Sequence, residues 1–176
     1  LTDLLHPCQI LSDLFTIKEK KGSYKKIKIA YIGDGNNVAN TWIEAAAKLP
    51  IQLTLACPQG YGPDKKIMAR GQKESQEGIT LYQNPLEAAR NADVLYTDVW
   101  VSMGQESEDR KRKKIFKEYQ INKKLLNEAK KDVLVMHCLP AHRGEEISAD
   151  VIDGPNSVVI DQAENRLHVQ KAILEM

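Results

Sequence analysis

Ile27-Lys-Ile-Ala-Tyr-Ile-Gly33, running on into Asp34-Gly35-Asn36-Asn37-Val38-Ala39, reads as a strand, a tight turn and the start of a helix. The same alternation extends outward in both directions. Asn37 to Leu49 reads as a helix, Ile51 to Cys57 as a strand, Asp64 to about Ser75 as a helix and Ile79 to Tyr82 as a short strand. Asn84-Pro85-Leu86-Glu87 then supplies an N-cap, a first-turn proline and a reciprocal acid for the next helix. Ala92 to Thr97 and Val133 to His137 are strand-like, with helices expected within 109–119 and 122–129 and a long loop around Gly144. Val158 to Ile160 reads as the last strand, and Asp161 opens a terminal helix through Leu174. Strands that alternate with helices predict an α/β fold: a doubly wound, mostly parallel sheet in three αβα layers, Rossmann-like.

Leu1 to Ile17 is Leu/Ile/Phe-rich with helical spacing, interrupted by His6-Pro7, and its apolar face must bury against something. Lys18 to Lys26 reads as a short basic linker. The expected organisation is therefore an interdomain helix and linker (1–26), a ligand-binding α/β domain (27–160) and a C-terminal helix (161–176) that packs on a domain upstream of this chain.

At 176 residues with a formal net charge of +1, the chain is long enough for a real core and carries no global field that would recruit nucleic acid or a membrane surface. A small polar metabolite is the expected partner. Three cysteines, an odd number with no CxxC, point to reduced thiols and a cytoplasmic setting, with an organellar origin as the secondary alternative. The apolar stretches are strand-sized, well short of the roughly 20 residues of a bilayer helix.

The Gly33–Ala39 turn nearly spells the dinucleotide fingerprint GxGxxG/A. Against that reading, the second strand ends at Cys57-Pro58-Gln59, with no carboxylate to hold a ribose about 20 residues on. Asn36 and Asn37 also place two carboxamides at the helix mouth, better suited to a carboxylate-bearing zwitterion than to a pyrophosphate. A nicotinamide-binding domain and a non-catalytic amino-acid-binding module remain the alternatives from other classes.

Two strand ends carry the chemistry. Asp98-Val-Trp-Val-Ser102-Met103-Gly104 follows one strand and His137-Cys138-Leu139-Pro140 another, and ligands of open α/β sheets sit beyond the carboxyl ends of strands. An acid beside a hydroxyl and free amides can bind a zwitterion's ammonium and carboxylate together. Asp98 alone reads more often as an N-cap or loop acid, and Cys138 alone more often as a small buried hydrophobe. His137, Cys138 and His142 lack a further Cys/His pair for a tetrahedral metal site, so no metal is expected. The Arg110–Lys114 run, offset by Glu106, Glu108, Asp109 and Glu118, reads as a solvated helix face; Trp42 and Trp100 read as packing residues.

Taken together, these strings resemble the ornithine carbamoyltransferases of the aspartate/ornithine carbamoyltransferase family, in their carboxyl-terminal, ornithine-binding half. His6-Pro7-Cys8-Gln9 is similar to the family's HPxQ, Asp34 to Asn37 to its asparagine motif, Asp98 to Gly104 to DxxxSMG, His137 to Pro140 to HCLP, and Glu164-Asn165-Arg166 to its late arginine motif. The family's Ser-Thr-Arg-Thr phosphate loop belongs to an amino-terminal domain and has no counterpart in this sequence.

The resemblance implies transfer of the carbamoyl group from carbamoyl phosphate to L-ornithine, giving L-citrulline and phosphate, with no metal or organic cofactor. It implies that Asn37, Asp98, Ser102 and the Met103 backbone hold ornithine, and that His6, Gln9, Cys138, Leu139 and Arg166 meet carbamoyl phosphate. Asp98 and Cys138 would be the catalytic pair, orienting the attacking amine. It further implies a homotrimeric full-length enzyme and an inactive isolated fragment. Enzymes for aspartate, putrescine or acetylated ornithine are the competitors within the family, and Ser102-Met103-Gly104 speaks against them.

Overall fold

A computed structural model of the chain describes residues 1–101 and 109–176. Five strands, β1 (Lys28–Ile32), β2 (Gln52–Ala56), β3 (Ile79–Tyr82), β4 (Val94–Thr97) and β5 (Leu134–His137), form one parallel sheet in the order β3-β2-β1-β4-β5. The order reverses between β1 and β4, so the carboxyl ends of β1, β4 and β5 open onto one crevice.

Because strand side chains alternate, each strand feeds two cores. Ile29, Tyr31, Leu53, Leu55, Val94, Tyr96 and Met136 face the layer of α1 (Pro7–Lys21), α2 (Asn37–Lys48) and α3 (Lys65–Glu74). Ala30, Ile32, Ala56, Leu95 and Val135 face the opposite layer, with α4 (Pro85–Ala89), α6 (Lys123–Leu126) and α7 (Ala149–Ile152). The near-continuous burial of β1, β2 and β4 is what a parallel sheet covered on both faces requires. Helix α5 (Asp109–Phe116) runs into a 3-10 turn at Lys117–Tyr119, and α8 (Val159–Leu174) closes the chain by packing along α1.

Several boundaries differ from the sequence reading. Pro7 is the first residue of α1, so Leu4 and Leu5 precede the helix, and the helix continues through Lys18–Lys21 to end at Gly22, whose φ of 77° supplies the left-handed cap. Only Gly22 to Ile27 is left as connection. The expected strand at Val158–Ile160 is a helix start: Ser157 makes a single parallel bridge to Val135, and α8 begins at Val159, two residues before Asp161. Ile160 lies exposed on that helix, where a β-branched residue mimics a strand in the sequence pattern. The short helix α7 lies inside what reads as an uninterrupted loop.

Candidate active site

At the end of β1 the chain turns through Gly35, where a Cβ would lie 2.2 Å from the Gly62 carbonyl carbon; only glycine lets the turn press onto the 61–63 loop. Asn36 then caps α2, its Oδ1 accepting from the backbone N–H groups of Val38 (3.0 Å) and Ala39 (3.2 Å) and from the Tyr31 hydroxyl (3.1 Å). Its Nδ2 donates to Asp98 Oδ2 at 2.6 Å. Two of the amides that would cradle a pyrophosphate are thus taken by the protein's own carboxamide, which disfavours the dinucleotide alternative. The two asparagines also divide differently from the sequence reading: Asn36 is a structural cap and a tether, while Asn37 Nδ2 donates to the Thr2 carbonyl at 2.7 Å.

Asp98, buried at the end of β4, accepts at Oδ1 from its own neighbour Val99 N–H (2.8 Å) and from the Cys138 thiol at the end of β5 (2.9 Å). Burial, and then the charge of Asp98, push the Cys138 pKa well above its ordinary value, so the group is a thiol that donates to the carboxylate. Leu139 follows with φ of 58° and a cis bond to Pro140. Its N–H donates to His137 Nδ1 at 2.9 Å; Nε2 therefore carries the proton and faces Glu146 Oε1 at 3.1 Å. Glu146 Oε1 also accepts from His142 N–H at 2.5 Å, tying the loop after β5 into one bonded unit.

Asp98, His137 and Cys138 approach one another closely enough to surround a cation. Both nitrogens of His137 are already engaged, however, and the thiol is spent on the carboxylate, so the set does not present itself as a ligand sphere.

A cleft of about 530 Å³ opens over these strand ends, lined among others by His6, Asn37, Asp98, Cys138 and Leu139. His6 enters from the residue before α1, its N–H donating to Thr41 Oγ1 at 2.7 Å; among the described residues its buried Nδ1 has no partner. Burial, followed by the nearby Arg166 charge, lowers the His6 pKa and favours the neutral ring. Gln9 and Arg166 do not line the cleft; they pair with each other, Arg166 Nη1 donating to Gln9 Oε1 at 2.8 Å. Ser102 and Met103 lie outside the described residues.

Residues 25–176 match the family described as "Aspartate/ornithine carbamoyltransferase, Asp/Orn binding domain". The chain belongs to that family. It is 70% identical over its full length to an ornithine carbamoyltransferase of Syntrophus aciditrophicus, and 59% identical over 99% of its length to that of Geobacter metallireducens. It covers 58% and 57% of those relatives. Among solved structures, ornithine carbamoyltransferase from Pyrococcus furiosus superposes with a TM-score of 0.92 at 54% identity, over 98% of this chain and 56% of that one. An anabolic ornithine carbamoyltransferase from Campylobacter jejuni also gives 0.92, at 39% identity, over 99% and 59%. The chain thus spans a little over half the length of the carbamoyltransferases it matches.

Within this carbamoyltransferase domain, one residue corrects the sequence reading of the basic run. Arg112 is buried: it pairs with Asp34, donates from Nε to the Trp100 carbonyl at 2.5 Å, and stacks on the rings of Tyr61 and Phe116. A five-residue basic run on a short helix gives no sign of which member turns inward; the nearby Trp100 and Phe116 were the available hint. Burial raises the Asp34 pKa to about 6 even against the opposing pull of Arg112. Arg112 therefore links the turn after β1 to the segment after β4, the two stretches that carry Asn36 and Asp98.

Proposed function

We propose that this chain is the ornithine-binding half of an ornithine carbamoyltransferase, which joins carbamoyl phosphate and L-ornithine to give L-citrulline and phosphate. The observation that carries the reading is the Asp98–Cys138 pair, a carboxylate and a thiol 2.9 Å apart at adjacent strand ends over one cleft. In the reaction the side-chain nitrogen of ornithine bonds to the carbonyl carbon, the bond from that carbon to the phosphate oxygen breaks, and the nitrogen loses a proton. A free alkylammonium has a pKa near ~10, so the site must favour the neutral amine and hold it in line. Asp98 suits this task as an acceptor aimed into the cleft, with Cys138 beside it as a second polar contact for the amine.

Asn37, Asp98, Ser102 and the Met103 backbone would hold the amino acid. His6, as a neutral ring, would polarise the carbonyl oxygen, while Gln9, Leu139, Cys138 and Arg166 would complete the carbamoyl phosphate side. Selection of ornithine over other amines rests on Ser102-Met103-Gly104. The phosphate-binding loop would come from an amino-terminal domain, docked on the α1 and α8 faces that expose Leu11, Phe15, Ile160 and Leu167. The isolated chain would be inactive. The complete enzyme would be a cytoplasmic homotrimer needing no cofactor and serving arginine biosynthesis or urea-cycle-type metabolism. Among the described residues, no helix is long and apolar enough to cross a membrane.

Isothermal titration of this chain with L-ornithine, with NAD and putrescine as controls, tests the reading. Weak ornithine-selective heat that disappears in Asp98→Asn is expected; NAD binding would overturn it.

A further inference from the structure

Asp13, on α1, is buried without exposure, and its hydrogen-bond partners there are neutral donors. Oδ1 accepts from Gln9 Nε2 and from Gln162 Nε2, each at 2.8 Å, and Oδ2 accepts from the Tyr96 hydroxyl at 2.8 Å. The far end of each glutamine is also engaged. Gln9 Oε1 accepts from Arg166 Nη1 at 2.8 Å, and Gln162 Oε1 accepts from the His137 backbone N–H at 3.0 Å.

An ionised carboxylate only accepts; a guanidinium and a backbone N–H only donate. A glutamine that bridges one of each has a single permitted orientation, amide nitrogen toward the carboxylate and oxygen toward the donor. Both glutamines obey this rule about the same carboxylate. We propose that Asp13 is a positioning residue: it fixes the amide orientation of Gln9 and Gln162, and through them holds the Arg166 guanidinium on one side and the end of β5, one residue before Cys138, on the other. The assignment rests on the reading of Gln9 and Arg166 as the carbamoyl phosphate side of the site.

Without an acceptor at position 13, the Gln9 NH2 loses its buried partner and the side chain is free to swing away, taking with it the oxygen to which Arg166 donates. An asparagine keeps an oxygen for both glutamines and offers its NH2 to the Tyr96 oxygen, so Asp13→Asn preserves the arrangement that Asp13→Leu destroys.

The test uses the full-length protein. Steady-state citrulline formation is measured at pH 8, where the Asp13 carboxyl is ionised, for the wild type, Asp13→Asn, Asp13→Leu, Arg166→Ala and the double variant Asp13→Leu/Arg166→Ala. Displacing a binding group costs about tenfold or more, so Asp13→Leu should raise KM for carbamoyl phosphate by that factor and leave ornithine KM within about twofold. Asp13→Asn should restore it, and Asp13→Leu should add nothing once Arg166 is alanine. An unchanged KM in folded Asp13→Leu, or an undiminished effect in the Arg166→Ala background, overturns the proposal.

A second readout needs neither turnover nor a folded variant. In wild-type protein carrying ¹⁵N-glutamine, the side-chain amides of Gln9 and Gln162 should exchange slowly with solvent, and fast exchange of either overturns the proposal. A wild type that makes no citrulline defeats the functional reading instead, and protected amides in that same sample would still support the positioning of both glutamines.

Discussion

Asn36 and Asp98, 62 positions apart in the chain, are joined by a 2.6 Å hydrogen bond from carboxamide to carboxylate, and the same asparagine caps α2. One side chain thus sets both the start of a helix and the orientation of the acid at the next strand end. Asn36→Ala should lose the cap and the tether together, lowering stability by about 1–2 kcal/mol in a urea titration. Asn36→Asp keeps the cap but sets a second carboxylate against Asp98. Its stability should stay closer to wild type while ornithine affinity falls, and the opposite ranking would show that the tether does not orient the site.

Cys138 should be slow to alkylate. Its thiol is held protonated by burial and by the Asp98 charge, so the thiolate that attacks iodoacetamide is scarce. Asp98→Asn removes the charge, lowers the thiol pKa and should speed modification of Cys138, read by mass spectrometry. Equal rates in the two proteins would mean that Asp98 does not control the thiol. In the full-length enzyme, Asp98→Asn and Cys138→Ala should each reduce turnover by about 10²-fold or more, the usual cost of losing an oriented group at the reacting centre.

Arg112→Met should destabilise the chain by about 3–5 kcal/mol, because it leaves the Asp34 carboxylate buried without its partner. Arg112→Lys should recover only part of that loss. An ammonium does not reproduce the planar fork that meets Asp34 and the Trp100 carbonyl while stacking on Tyr61 and Phe116. Thermal and urea melts of the two variants provide the comparison, and full recovery by lysine would reduce the role of Arg112 to its charge.

Burial pushes the Asp13 carboxyl up to about 7, against the pull of hydrogen bonds from Tyr96, Gln9 and Gln162. The folded chain therefore keeps this proton at pH values where the unfolded chain, at its ordinary 3.8, has released it. Stability contributed by the protonated group at acid pH is lost as pH rises through that window. Asp13→Asn has no proton to lose. Its stability relative to wild type should grow between pH 4 and pH 8 by an amount on the order of 2–4 kcal/mol, measured in urea at the two pH values. Asp34, which is raised in the same direction, is present in both proteins and cancels in the difference.

Much of the fold was legible because the strand and helix periods are clean and the helix starts carry their own chemistry: Asn36, Asp64, Asn84 and Asn122 all cap as side-chain acceptors. The strand ends were legible for the same reason, since an apolar run that stops at an ionisable residue marks the rim of a parallel sheet. Val158–Ile160 misled because a β-branched triplet at a helix start has the composition of a strand. The inward turn of Arg112 and the hub at Asp13 stayed hidden for a different reason. Each depends on a partner far away in sequence, Asp34 for one and Gln162 for the other, and the aromatic neighbours of Arg112 hint at burial without naming that partner.

The packing of α1 along α8 joins the earliest and latest parts of this chain, through Asp13 to Gln162 and Thr16 to Asn165, both 149 positions apart. During synthesis α1 emerges long before its partner, so its inward polar groups stay uncompensated until α8 has cleared the ribosome. Contacts of such long range slow folding. A premature stop before Val159 would leave every strand of the sheet in place and still deny α1 its mate, yielding a nascent product with an open polar seam that quality-control proteases would be expected to find.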